Sequence, residues 1–173
     1  MLAVAAGIWW VQAAMVSGVC ELPAPVDLDM ASIIALKNKH RAYARDPTGG
    51  AALELTEREV NFLLQDMPQL SARVRLSGNR LVARVVNPTN RGCYDLTFAG
   101  VVRAHQGKLV IVPDDLQVGS LDLTWLVGGT TLERSPSQVS DQLLAQRVAN
   151  LESMEVVNGR VHIRMIDPLL ARW

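Results

Sequence analysis

From Ala72 to Leu123 the chain sets apolar and polar side chains alternately, in short runs cut by turn residues. A period of two sustained in this way requires antiparallel sheet. Val74 and Leu76 share one face of Ala72–Ser77, and Arg73 and Arg75 share the other. Gly78-Asn79 turns the chain into Arg80–Asn87, where Leu81, Ala83 and Val85 alternate. After a loop at Asn87–Gly92, Tyr94–Arg103 forms a longer strand with Tyr94, Leu96, Phe98 and Gly100 on one face. Glycine inside a strand marks a bend or a close approach, so the sheet is expected to curve at Gly100. His105-Gln106-Gly107 leads into Lys108–Val112, and Leu116–Leu123 resumes after the turn residues Pro113-Asp114-Asp115. Near the end, Asn158-Gly159 joins Glu155–Val157 to Arg160–Met165, a strong hairpin signal. There Val161, Ile163 and Met165 alternate with Arg160, His162 and Arg164. Short strands at even spacing predict an antiparallel meander.

Amphipathic helices flank these strands. Met30–Arg45 reads as a helix capped by Asp29, with Ile33, Ile34 and Leu36 apolar and Lys37, Lys39, His40 and Arg41 exposed; Asp46-Pro47-Thr48-Gly49-Gly50 ends it. The best-marked helix starts at Thr56 with Glu59 three residues on. This is a capping box, in which each side chain satisfies the other residue's free N–H. Val60, Leu63, Leu64 and Met67 then fall at i, i+3, i+4 and i+7, and Pro68 stops the helix. A third pattern follows Ser135, with Pro136 at the first position and Gln138 at the third. Its apolar face is Val139, Leu143, Leu144, Val148 and Leu151.

Met1–Cys20 (MLAVAAGIWWVQAAMVSGVC) has only Gln12 and Ser17 as polar side chains before Cys20. As a helix it would reach about 30 Å, the thickness of a bilayer's hydrocarbon core. Three readings stand: a transmembrane anchor over Met1–Ser17, a cleaved signal peptide, or a buried core helix. No Lys or Arg precedes Lys37, so the basic flank usual for the first two is absent. Val19 before Cys20 does not suit a lipidation site. Cys20 and Cys93 are the two cysteines; they are either idle thiols or one disulfide, which requires an oxidising compartment. Glu21–Asp29, with Pro23 and Pro25, reads as an extended linker. The expected organisation is an anchor over residues 1–20, a linker and juxtamembrane helix over 21–52, and a sheet-plus-helix domain over 53–173.

Hydrophobic residues make up 49% and charged residues 20%, which excludes a disordered chain. Lys plus Arg equals Asp plus Glu, 17 each. A nucleic-acid partner is not expected, because phosphate contacts call for a basic surplus. No H-E-x-x-H, G-x-S-x-G, phosphate-binding glycine loop or dinucleotide fingerprint is present. His40, His105 and His162 read as solvated residues on a helix surface, a turn and an outward strand face. Asp114 and Asp115 are adjacent, so along a strand their side chains diverge. Glu57 and Glu59 suit a helix start. No catalytic residue, metal ligand or cofactor is expected.

The segment Leu53–Gln65 (LELTEREVNFLLQ) resembles the opening of YceB-like envelope lipoproteins, with Thr56, Glu59, Asn61 and Leu64 at the matching positions. The meander from Arg73 to Leu123, the helix from Ser137 to Leu151 and the hairpin from Val156 to Met165 follow in the same order. That family is similar in architecture to tubular lipid-binding (TULIP-like) domains, in which a curved antiparallel sheet wraps a helix and the space between holds an acyl chain. The resemblance implies an α+β fold: a curved antiparallel meander packed on two amphipathic helices, behind an N-terminal transmembrane or signal-anchor helix. It also implies a domain on the extracytoplasmic (periplasmic) side that binds lipid. The expected apolar lining is Leu64, Met67, Val74, Leu76, Leu81, Val85, Leu96, Phe98, Val161 and Ile163. Two alternatives stay open: these residues fill a dry core, or the domain is an anchored scaffold that docks another envelope protein through Met30–Arg45.

Overall fold

The computed structural model describes residues 14–17, 21, 24–45, 52–65, 71–89, 92–105, 107–134 and 149–166. It is an α+β fold built on an antiparallel sheet. The strands are β1 (Val16–Ser17), β2 (Leu53–Thr56), β3 (Ser71–Ser77), β4 (Arg80–Thr89), β5 (Gly92–His105), β6 (Lys108–Val118), β7 (Leu121–Asp122), β8 (Leu132–Arg134), β9 (Leu151–Val157) and β10 (Arg160–Met165). The described helices are α1 (Met30–Arg45), α2 (Glu57–Gln65) and the short α3 (Thr124–Val127).

The strand order is β2-β10-β9-β5-β4-β3, with β6 and β1 on the other side of β5. The expected meander therefore holds from β3 to β7, except that the strand expected over Leu116–Leu123 turns back at Gly119-Ser120, where β7 pairs with β6. The closing hairpin does not continue it; β9 and β10 enter between β5 and β2. The reason is the length of β5, 14 residues. Its first part, Gly92–Gly100, pairs with β4, and Ala104–His105 beyond it pairs with β9. The hairpin turn has the expected chemistry, with positive φ at both Asn158 and Gly159.

Gly100, where the sequence suggested a bend or a close approach, lies beside a bulge in the neighbouring strand. Ala99 pairs with Asp115 and Gly100 with Pro113, leaving Asp114 as a bulge in β6. A side chain on Gly100 would collide with the Val112 carbonyl oxygen and lie 2.9 Å from both Phe98 Cζ and Pro113 Cα. The break expected at Pro113-Asp114-Asp115 is thus a bulge inside one continuous strand. A bulge leaves a residue unpaired and strengthens the local twist, and it tolerates a proline that cannot donate to the ladder.

Register places one set of side chains on a single face. Val74 faces Ala83, which faces Phe98; Leu76 faces Leu81; Val85 faces Leu96. Across β5 the same face runs from Ala104 through Met154 and Ile163 to Leu53. Helix α1 covers part of it. Leu36 and Tyr43 are buried, and the Tyr43 hydroxyl accepts the Met165 N–H at 2.6 Å. Burial pushes the Tyr43 phenol above its ordinary value, with the Met165 amide opposing. The inward stripe is Leu36, His40 and Tyr43, at i, i+4 and i+7. Ile34, expected inward, is 52% exposed. His40, expected in solvent, has its Nε2 buried without a hydrogen-bond partner among the described residues. Asp29 caps α1 as expected, its Oδ1 accepting the Ser32 N–H at 2.6 Å.

Thr56 and Glu59 form the expected capping box. Glu59 N–H donates to Thr56 Oγ1 at 3.3 Å, and Thr56 N–H donates to Glu59 Oε2 at 2.8 Å. Such a cap contributes about 1 kcal/mol. Burial works to raise the Glu59 carboxyl. The 2.7 Å contact with Lys39 Nζ and the Thr56 donors outweigh it and hold the group below its ordinary value. Helix α2 then lies along the open edge of β3. Asn61, 3% exposed, donates from Nδ2 to the Val74 carbonyl at 2.6 Å and accepts the Val74 N–H at 2.7 Å. Glu57 Oε2 accepts the Leu76 N–H at 2.8 Å. The acid expected to serve the helix dipole also closes a sheet edge, which would otherwise be a pairing hazard.

Residues expected to form an extended linker are held down as a strap. Val26 is 8% exposed; its N–H and carbonyl are both held by the Gln65 amide, at 2.8 and 3.0 Å. Arg73 donates to the Ala24 carbonyl and Arg58 to the Asp27 carbonyl. Upstream, Val16 pairs with Tyr94 and Ser17 with Cys93 on β5. Val16–Ser17, expected at the end of a helix over Met1–Ser17, are therefore strand, because β5 offers an unpaired edge beside Cys93 and Tyr94. Met1–Ala13 lies outside the described residues. Cys93 is disulfide-bonded, and Cys20 is the chain's other cysteine. Also outside the described residues are Asp46–Gly50, Met67, Pro68 and most of the helix expected after Ser135. Leu151, expected in that helix, opens β9.

Candidate functional site

The ten residues expected to line an apolar site do not share one environment. Val74, Leu76, Val161 and Ile163 are buried, and they pack with Leu36, Tyr43, Leu53, Leu55 and Val156 in one cluster. They are packed core: Leu36 and Tyr43 of α1 share their cluster, and Val60, Leu63 and Leu64 of α2 pack against it. Leu64 and Leu81 are half-buried at the margin of this cluster. Met67 lies outside the described residues. Val85, Leu96 and Phe98 are half-buried and stand apart from it.

Register extends this second region onto β6. Leu96 faces Val118, Phe98 faces Leu116 and Val102 faces Ile111. Ile111, Leu116 and Val118 are half-buried as well. They were missed in the sequence because the bulge at Asp114 shifts the alternation between Ile111 and Leu116. The inner face thus divides in two. At the β2-β10-β9 end and over β3 it is packed shut, and over β4-β5-β6 it carries half-buried aliphatic side chains and one phenylalanine. No charged side chain from these three strands lies on that face between Val85 and Val118; Arg84 and Asp95 point the other way. There Arg84 donates to both Asp95 oxygens, and the Glu21 charge adds to the field that holds the guanidinium above its ordinary value.

The opposite face carries the strap. Val86 and Cys93, at 2% and 1% exposure, are the most deeply buried large side chains. Between strap and helix, Pro25, Asp27, Arg58 and Arg73 border a cleft of about 390 Å³. Three of its polar side chains are engaged with backbone, Arg58 on Asp27, Arg73 on Ala24 and Glu57 on Leu76. They tie the strap to α2 and the β3 edge, and they do not converge on a common point.

The titratable residues singled out in the sequence find separate partners. Asp114 meets Arg80 at 2.8 Å, and Asp115 accepts the Thr124 hydroxyl at 2.9 Å. His162 Nδ1 is 3.8 Å from Glu54, which also meets Arg160, and His105 is exposed. Among the described residues no group of three or more His, Cys, Asp or Glu is placed to hold a metal ion. No described helix is long and apolar enough to cross a membrane. Compared with known proteins, the chain matches no protein family, no curated protein and no solved structure.

Proposed function

We propose that this chain is a membrane-anchored, non-enzymatic envelope domain that binds a lipid or another hydrophobic ligand in the trough over β4-β5-β6. One observation carries the reading: Val85, Leu96 and Phe98 remain half-buried on an apolar face whose other end is packed shut. Concave sites lined by apolar side chains are where small hydrophobic molecules bind. The anchor is the apolar run over Met1–Ser17, whose last two residues pair with β5. The disulfide at Cys93 supports an oxidising compartment, hence the extracytoplasmic side.

A second reading, a scaffold that docks another envelope protein, is favoured by Met30 and Ile34. These stand i, i+4 on α1 at 71% and 52% exposure.

The Val85→Trp variant tests the first reading. If Val85 lines an open trough, tryptophan fills it: bound lipid falls while the thermal midpoint stays close to that of the parent. If the region is packed, the same change overpacks it and costs about 1–3 kcal/mol. A destabilised variant from a parent that carries no lipid contradicts the trough.

A further inference from the structure

The turn after β6 meets the apolar N-terminal run at Ala14 and Met15. Ala14 carbonyl oxygen accepts both the Ser120 N–H at 3.0 Å and the Ser120 hydroxyl at 3.1 Å. Gly119 is pressed against the same backbone: a side chain there would lie 2.8 Å from the Met15 carbonyl oxygen, and its φ is +59°. Five residues after Ser120 comes Trp125, 76% exposed, followed by Leu126 at 53%. Exposed tryptophan beside exposed leucine is uncommon on a surface that meets only water.

This loop is held in place. Thr124 N–H donates to Asp122 Oδ1 at 2.9 Å. The Thr124 hydroxyl accepts the Leu116 N–H at 3.1 Å and donates to Asp115 at 2.9 Å. The Thr124 carbonyl accepts the Gly128 N–H at 2.6 Å. One threonine thus ties the start of α3 to β6 and closes the helix on Gly128. The two apolar side chains are presented by a fixed turn and would lose little entropy on meeting a partner.

We propose that Trp125 and Leu126 form a second membrane contact, seated in the interface of a zwitterionic bilayer beside the point where the N-terminal anchor enters the domain. The inference rests on the anchor reading above. Tryptophan favours the headgroup level, where its ring is buried and its N–H stays solvated. From Gly119 to Thr130 the only charged residue is Asp122, so the contact is apolar and needs no anionic lipid. Two points of attachment, Ala14 and Trp125, fix the orientation of the sheet on the bilayer.

The test uses the full chain labelled with 5-fluorotryptophan in phosphatidylcholine nanodiscs. The chain has four tryptophans, and the ¹⁹F resonance lost in Trp125→Phe is that of Trp125. The expected result is strong broadening of that resonance by a nitroxide carried near the lipid headgroup, and little by a water-soluble gadolinium chelate. Broadening by the chelate alone overturns the proposal. Protection from both agents also overturns it, because it means that protein covers the loop. Flotation of the same chain with phosphatidylcholine vesicles separates the two readings. A chain that floats while Trp125 faces water loses only the loop contact; a chain that does not float loses the anchor and the loop contact together.

Discussion

Gly100→Ala is expected to destabilise the domain by about 3 kcal/mol or more, the upper range for overpacking a filled site. In an unconstrained strand the same change would stabilise by roughly 0.5–1 kcal/mol, because alanine loses less backbone freedom on folding. The sign therefore reports the local geometry. The new methyl would collide with the Val112 carbonyl oxygen and press on Phe98 and on the Pro113 backbone. Two of these are main chain in the bulge of β6 and cannot rotate aside. Relief would have to come from flattening the bulge, which breaks the register on both sides of Asp114. The denaturant midpoint measures the effect. A variant as stable as the parent would mean that β5 and β6 do not approach at Gly100.

Asn61→Leu is expected to cost about 3 kcal/mol. Leucine has the same number of side-chain heavy atoms as asparagine, branched at the same carbon, so no cavity forms and the loss comes mainly from hydrogen bonding. Asn61 makes two bonds with Val74 and a third with the Glu57 carbonyl at 2.9 Å. Without them the Val74 N–H and carbonyl are left buried and unpaired, at about 1–3 kcal/mol each. Hydrogen exchange gives a local readout beside the denaturant midpoint: the Val74 amide should lose protection while amides in the β9–β10 hairpin keep theirs relative to global stability. Unchanged protection at Val74 would show that Asn61 is not the partner that closes this edge.

Much of the fold was legible where information is local. The period-two runs gave β3 to β6, Asn158-Gly159 gave the closing hairpin, and the Thr56/Glu59 and Asp29 caps gave two helix starts. Gly100 was legible too, since a glycine on the core face of a long strand signals a bend or a close approach. What stayed hidden depends on partners distant in sequence. Leu53–Thr56 is too short to show a period and becomes a strand only through β10. The pairing of β9 with the end of β5 follows from how far β5 outruns β4, which no local pattern encodes. The strap is held by Gln65, Arg58 and Arg73 acting on backbone, and those residues read as ordinary surface side chains. The site was half legible for a related reason. Alternation identifies the inner face, and Val85 and Val74 satisfy it equally. Only the placement of the helices decides which part of that face is filled: Leu36 and Tyr43 of α1 pack in one cluster with Val74, Val161 and Ile163, and Leu63 and Leu64 of α2 pack against it.

The most direct measurement of the central proposal is native mass spectrometry of the full chain extracted from its own membranes in mild detergent. The expected result is a chain mass plus a discrete adduct of lipid size, retained at collision energies that strip the detergent and released on unfolding. A bare chain mass under those conditions, or a fixed stoichiometry with a second protein and no lipid, would contradict a hydrophobic ligand in the β4-β5-β6 trough.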